Sequence, residues 1–224
     1  MLECLSGLKI LHINMKYVNY LASYFCSIVC SAILKKDLDK IKWLISRDID
    51  KISAIPEHII PPLVFAEDHR FFRHPGFDII SIFRAVLYSI FSSIQGGSTI
   101  DQQLVRTITQ EKKVCLKRKL KEIFLATALN SFFEKDVIAK SYIYYAYYGW
   151  KMNGYHEAML RISMHNEFNI ERELFLIALL KYPLPQIVTV SRFQKIADRK
   201  KMLSAALKRG KYENLRLGKS GLWS

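Results

Sequence analysis

Apolar residues along the chain fall into blocks separated by polar punctuation, and most blocks carry helical spacing or no charge at all. Tyr17 to Leu34 contains no charged residue and is bounded by Lys16 and by Lys35-Lys36. As a helix it spans about 27 Å, just short of a hydrocarbon core, which predicts one N-terminal membrane anchor over 17–34; a cleaved signal sequence or a buried helix is the competing reading. Lys35 to Lys51 alternates charge with Leu38, Ile41, Trp43, Leu44 and Ile45, as a short amphipathic helix at a membrane surface would. Ile79 to Ile94 carries only Arg84 and predicts a buried helix, and Ile123 to Phe133 is uncharged and predicts another. Helices are also expected over Ile100 to Ile108, Val137 to Trp150, Tyr155 to His165, Ile170 to Tyr182 and Arg192 to Arg209. Asn169 supplies a cap for the fourth of these, and Pro183 and Pro185 a stop. Few segments alternate as strands do, so the fold class is mainly α.

Between the first two long apolar blocks lies the densest run of reactive side chains, Glu67 to Asp78. It holds Glu67, Asp68, His69, Arg70, His74 and Asp78 around Phe71 and Phe72, behind the apolar run Ile59 to Ala66. Pro61 and Pro62 suit the first turn of a helix and Pro75-Gly76 its end, which puts Glu67, Phe71 and His74 on one helical face at i, i+4 and i+7. That places a carboxylate beside apolar ring surface, as site chemistry on a buried support does; a capped or salt-bridged surface cluster accounts for the same twelve residues equally well. Partial burial raises the pKa of such a carboxylate, and Arg70 and other nearby cations oppose the rise.

The next polar cluster follows a glycine pair, Gly96-Gly97-Ser98-Thr99, where Thr99 with Gln102 fits a capping box. Glycines running into a helix N-terminus leave backbone N–H groups free for an anion, and Gln102 and Arg106 extend that face; an ordinary helix start explains the residues too. Arg118 and Glu122 are four apart, close a Lys- and Arg-rich stretch, and form either an ion pair or the edge of a phosphate site. The tyrosines of 142–148 suit helix packing with hydroxyls at the rim better than a sugar-stacking surface.

Charge and cysteine usage narrow the picture further. The net charge of +14 over 224 residues requires an anionic partner, whether nucleic acid, acidic lipid or phosphorylated substrate. No nucleic-acid motif is present. The four cysteines, Cys4, Cys26, Cys30 and Cys115, form neither a disulfide framework nor a metal-ligand pattern. The length holds one domain, 35–209, with a short polar tail over 210–224 expected to be flexible.

Order and spacing of the clusters resemble the peptidoglycan glycosyltransferases, which comprise the monofunctional transglycosylases and the first domain of bifunctional penicillin-binding proteins. Glu67-Asp68-x-x-Phe71-x-x-His74-x-Gly76-x-Asp78 is similar to the first family motif, Gly96-Gly97-Ser98-Thr99-Ile100-x-Gln102-Gln103 to the second, and Arg118-Lys119-x-x-Glu122 to the third. Lys135-Asp136-x-Ile138 through Tyr142 to Gly149 is similar to the fourth, and Arg199-Lys200-x-Met202-Leu203 is a looser likeness of the fifth. The resemblance implies a lysozyme-like helical domain on a single-pass anchor in the cytoplasmic membrane, with residues 1–16 on the cytoplasmic side and the domain outside. It implies polymerisation of lipid II onto a growing glycan strand with release of undecaprenyl pyrophosphate, beside other cell-wall synthases. Glu67 and Glu122 are then catalytic. Asp68, Phe71, His74, Gly97, Ser98, Thr99, Gln102, Gln103, Arg106, Arg118 and Lys119 bind substrate, the cations holding the donor pyrophosphate. No organic cofactor is implied, no protein metal ligand is assigned, and a divalent cation (Mg2+ or Mn2+) is left open.

Three positions depart from the family pattern: Lys140 stands where Glu is usual, Tyr144 where Asn is usual, and Asp101 where a small hydroxyl residue is usual. They bear on the packing beneath the donor site and on whether the substrate is ordinary lipid II. A lysozyme-like lytic hydrolase and an inactive membrane-associated scaffold remain as alternatives, and no transpeptidase segment is expected after Ser224.

Overall fold

The computed structural model describes residues 28, 34–78, 97–111, 113, 115–163 and 169–212. The anchor expected over 17–34 and the helix expected over 79–94 lie outside these, apart from Ile28 and Leu34. No helix among the described residues is long and apolar enough to cross a membrane.

Helix α1 (Lys35–Arg47) leads to a short α2 (Ile49–Ser53). The apolar stripe of α1 is not offered to a membrane surface: Leu38, Ile41 and Ile45 are buried in the domain core, where α1 packs on the two helices that carry the donor motifs. Each such buried aliphatic contributes about 1.5–3 kcal/mol, so the stripe is a large part of what holds α1 in place. Trp43, on the other side, is exposed under Arg47.

After a 3-10 turn at Glu57–Ile59, α3 runs over Ile60–Glu67 with prolines at its N-terminal turn, as expected. It does not continue to His74. Asp68 leaves the helical region with φ −158° and ψ 82°, and the chain re-forms only a 3-10 turn at Phe71–Arg73. Glu67 is therefore the last residue of a helix rather than the first of a reactive face.

Helix α4 (Ile100–Thr109) starts where Thr99 accepts the Gln102 N–H at 3.3 Å, half of the anticipated capping box. Helix α5 (Leu116–Leu129) buries Leu125 to Leu129, and α6 (Lys135–Tyr145) packs across α4 and α2. A small antiparallel hairpin of β1 (Tyr147–Gly149) and β2 (Met152–Asn153), absent from the sequence reading, follows. Helices α7 (Tyr155–Ser163), α8 (Asn169–Lys181) and α9 (Val190–Lys208) complete the core, α8 and α9 packing closely. Ile196, Leu203 and Ala206 form the buried face of α9, whereas Phe193 and Leu207 are exposed. The anticipated tail is not all free: Tyr212 is buried against Phe65 and donates to the Leu203 carbonyl at 2.7 Å. Of the tyrosines expected to pack on one helix, Tyr145 donates to the Leu44 carbonyl and to Asp48, whereas β1 carries Tyr147, which is exposed, and Tyr148, which is fully buried and donates to the Ile143 carbonyl.

Candidate active site

Because α3 stops at Glu67, its carboxylate projects from a helix C-terminus, where the dipole disfavours negative charge. The side chain is 15% exposed. Arg199 of α9 donates through Nη2 to Glu67 Oε1 at 2.6 Å and to the Ala66 carbonyl at 3.2 Å. Gln103 of α4 donates to Oε2 at a longer 3.4 Å. Burial pushes the Glu67 carboxyl above the ordinary carboxylate range, and the charge of Arg199, then Gln103 and more distant Lys181, pulls it back only in part. Arg70, expected to share in that opposition, instead pairs with Asp78 at 3.1 Å.

The other side chains of the first motif are held inside the fold. Asp68 is buried and accepts from the Arg70 and Ile100 N–H groups, both at 3.3 Å. His74, also buried, receives the Gly76 N–H on Nδ1, so its Nε2–H donates to Asp68 at 3.0 Å. Phe71 is fully buried, with the Lys135 ammonium 4.4 Å from its ring centroid. Phe71 and His74, expected to share a helical face with Glu67, lie beyond the end of α3 and are buried. Gly76 has φ +98°, and a Cβ there would lie 2.5 Å from the Ala126 carbonyl oxygen, so the loop touches α5 backbone to backbone. Its carbonyl accepts from Thr99 Oγ1 at 2.7 Å and Gln102 Nε2 at 3.5 Å, which ties the first motif to the second.

Ligand atoms of Asp68, His74 and Asp101 lie within 4.8 Å of one another. Their lone pairs are taken from inside the fold: Lys135 sits on both Asp101 oxygens at 2.9 and 3.2 Å, Asn130 donates to one at 2.8 Å, and Asp68 and His74 hold each other. With the Lys135 ammonium already seated on Asp101, the cluster does not fit a divalent metal ion. The Asp101 departure is thus a buried charge neutralised between α4 and α6. Lys140 reaches the Ser53 carbonyl at 3.1 Å at the end of α2, and Tyr144 packs edge-on against Tyr145.

Elsewhere along α4, Glu122 is 2% exposed and is gripped by three cations. Arg106 binds it bidentately, at 2.8 and 2.9 Å; Arg118 approaches to 3.5 Å and Lys119 to 3.9 Å. Lys119 donates to Ser98 Oγ at 2.8 Å and to Gln102 Oε1 at 2.5 Å, and Arg106 donates to Ser98 at 3.2 Å. Burial lowers the Lys119 pKa; Glu122 opposes this, while Arg106 and Arg118 add to it. One carboxylate against three cations leaves an excess of positive charge around Ser98, beside half-buried Gly97. Such an excess is built to receive an anion.

Three groups brought to this site were not in the expected set. Arg199 is 132 positions from Glu67, and its only sequence signal was the loose fifth-motif likeness. Tyr142 donates to Gln103 Oε1 at 2.6 Å, and Lys181 adds its charge to Glu67 from the end of α8. A cavity of about 560 Å³ between α7, α8 and α9 is a different place: Lys200 lines it, while the neighbouring Arg199 reaches Glu67.

Comparison with known proteins agrees with the arrangement. The family described as Transglycosylase matches residues 36–208. Penicillin-binding protein 1A of Escherichia coli (strain K12) is 37% identical over 105 residues, 46% of this chain and 12% of that protein. Penicillin-binding protein 1A of Aquifex aeolicus (strain VF5) is 35% identical over 136 residues, 59% of this chain and 19% of that protein. Penicillin-binding protein 1B of Buchnera aphidicola is 31% identical over 158 residues, 67% of this chain and 20% of that protein. The chain spans a fifth or less of these relatives' lengths. With the family match covering most of the chain and the four polar clusters assembled around α4, the chain belongs to the peptidoglycan glycosyltransferase (transglycosylase) family.

Proposed function

We propose that this chain polymerises lipid II into glycan strands, releasing undecaprenyl pyrophosphate in one inverting displacement. The observation that carries the reading is the pairing of a buried, basic carboxylate at Glu67 with a separate cation cluster around Glu122, both touching α4. The acceptor sugar hydroxyl attacks the donor anomeric carbon as Glu67 takes its proton. Oε2, whose contact to Gln103 is long, is the oxygen with a free lone pair, whereas Oε1 is held by Arg199. The bond from the anomeric carbon to the pyrophosphate oxygen breaks, and its electron pair goes to the phosphate. Arg106, Arg118 and Lys119 neutralise that charge, with Glu122 holding the three cations together before the donor arrives. Asp68, Phe71, His74, Thr99 and Gln102 act by supporting these groups, while Gly97, Ser98 and Gln103 border the donor.

A lipid-linked substrate places the domain at a membrane, and residues 17–34 are the segment proposed to hold it there. A lytic hydrolase needs no pyrophosphate site, and an inactive scaffold needs no basic carboxylate beside one. The test is incubation of detergent-purified full chain with labelled lipid II, followed by gel analysis. A ladder of glycan polymer is expected. Release of soluble muropeptides from preformed peptidoglycan, without polymer from lipid II, would replace this reading with the hydrolase.

A further inference from the structure

We propose that Tyr142 is a positioning residue for the base, acting through Gln103 to keep Glu67 ionised and correctly turned; the inference rests on the general-base reading of Glu67. The geometry is a chain of contacts across three helices. Tyr142 Oη lies 2.6 Å from Gln103 Oε1, and Gln103 Nε2 lies 3.4 Å from Glu67 Oε2. An ionised carboxylate only accepts hydrogen bonds, so the amide must turn its NH2 toward Glu67 and its carbonyl toward Tyr142. The phenol is 6% exposed, and burial, with the Glu67 charge adding to it, keeps its proton on across the working range. A phenolic hydroxyl donates better than it accepts, so Tyr142 favours the one amide orientation that serves the carboxylate.

Charged and titratable groups face this carboxylate from every side that packs on it: Arg199 from α9, Lys181 from α8, Tyr142 from α6, with Arg106 on α4 beyond Tyr142. Arg199 fixes Oε1 by charge, and among the described residues the Gln103 amide is what steers Oε2. Without the phenol the Gln103 amide is free to rotate and to turn its carbonyl on Glu67. Repulsion between the two oxygens then favours the protonated acid, and the fraction of competent base at neutral pH falls.

The experiment is a carboxyl titration followed by kinetics, on the full chain in detergent. Glutamate is labelled with 13C at the carboxyl, and the Glu67 resonance is identified by its loss in Glu67→Gln. Tyr142→Phe is expected to raise the Glu67 midpoint by about half to one pH unit. Gln103→Met, which removes the amide at similar size, is expected to do the same, and the double variant to move it no further. In lipid II polymerisation, the acid limb of the kcat profile follows the titration. On that acid limb kcat falls about three- to tenfold, the fold-change equivalent of a half- to one-unit shift, with KM within about twofold, and the fall fades above both midpoints. An unmoved midpoint in a folded Tyr142→Phe overturns the proposal, as does a rise in KM with kcat intact, which would make Tyr142 a substrate contact. If Tyr142→Phe fails to fold, the Glu67 midpoint in Gln103→Met decides, and an unmoved one overturns the proposal. The titration needs no turnover, so a shifted midpoint in a protein that makes no polymer would leave Tyr142 positioning Glu67 and would fail the glycosyltransferase reading instead.

Discussion

Glu67 and Glu122 both contact α4, through Gln103 and Arg106, and occupy opposite electrostatic settings. Glu67 has one cation within bonding distance, an 85% buried side chain and a helix C-terminus behind it, and it is left more basic than an ordinary carboxylate. Glu122 is buried more completely, yet three cations converge on it. What distinguishes the two is how many positive charges the fold places around each carboxylate, one at Glu67 and three at Glu122, the division that the proposed reaction asks of a base and a leaving-group site.

The comparison is broken most sharply at the base end. Glu67→Gln keeps the shape and removes the proton acceptor, so polymerisation of lipid II should fall at least about a hundredfold while the fold and binding of pyrophosphate-mimicking inhibitors persist. Comparable turnover by this variant and wild type, measured as glycan formed per unit time, would remove Glu67 from the mechanism. At the phosphate end, Arg118→Ala deletes one of three cations while Arg106 still holds Glu122 bidentately. Loss of a charge-assisted contact of about 1.5–3 kcal/mol predicts a ten- to hundredfold fall in kcat/KM for lipid II with an unchanged melting temperature. Glu122→Gln differs: it leaves three cations without a counter-charge, so a lower melting temperature should accompany its loss of activity. Equal melting temperatures for the two variants would mean that Glu122 does not organise the cluster.

The groups readable in the sequence were those whose partners are close along the chain. Thr99 capping Gln102, Arg118 beside Glu122 and Pro61-Pro62 at a helix start are local relations, and local spacing determines them. The expected helix from Glu67 to His74 failed because of a tertiary competitor. Asp68 accepts from the Arg70 and Ile100 N–H groups and from His74, and these bonds reward an extended Asp68 over a helical one. Amphipathic spacing in α1 correctly marked an apolar face but could not say whether lipid or the domain core covers it. Arg199, Tyr142 and Lys181 reach Glu67 from three separate helices, so no window of sequence contains the constellation. The hairpin was hidden by its size, two and three residues turning at Lys151 with φ +55°.

The smallest predicted effect concerns stability, and it tests the same contrast without any substrate. In the unfolded chain Glu67 titrates near its ordinary value of 4.5; in the fold its value is higher, because burial outweighs Arg199. A carboxyl with a raised folded-state pKa favours the folded protein while it is protonated, below the unfolded value. That contribution is lost as pH rises from the unfolded value through the folded one, and above both the native state carries a penalty for a buried negative charge. Gln carries no such penalty at any pH. The melting temperature of Glu67→Gln minus that of wild type should therefore increase as pH is raised from about 4 toward 7 and then level off. The direction matters because Gln also forfeits the ion pair to Arg199: if that pair dominated, the folded pKa would be lowered and the difference would move the other way with pH. A melting-temperature difference that falls between pH 4 and pH 7 would show that Arg199 outweighs burial, and Glu67 would then be a paired structural carboxylate like Glu122 rather than a base.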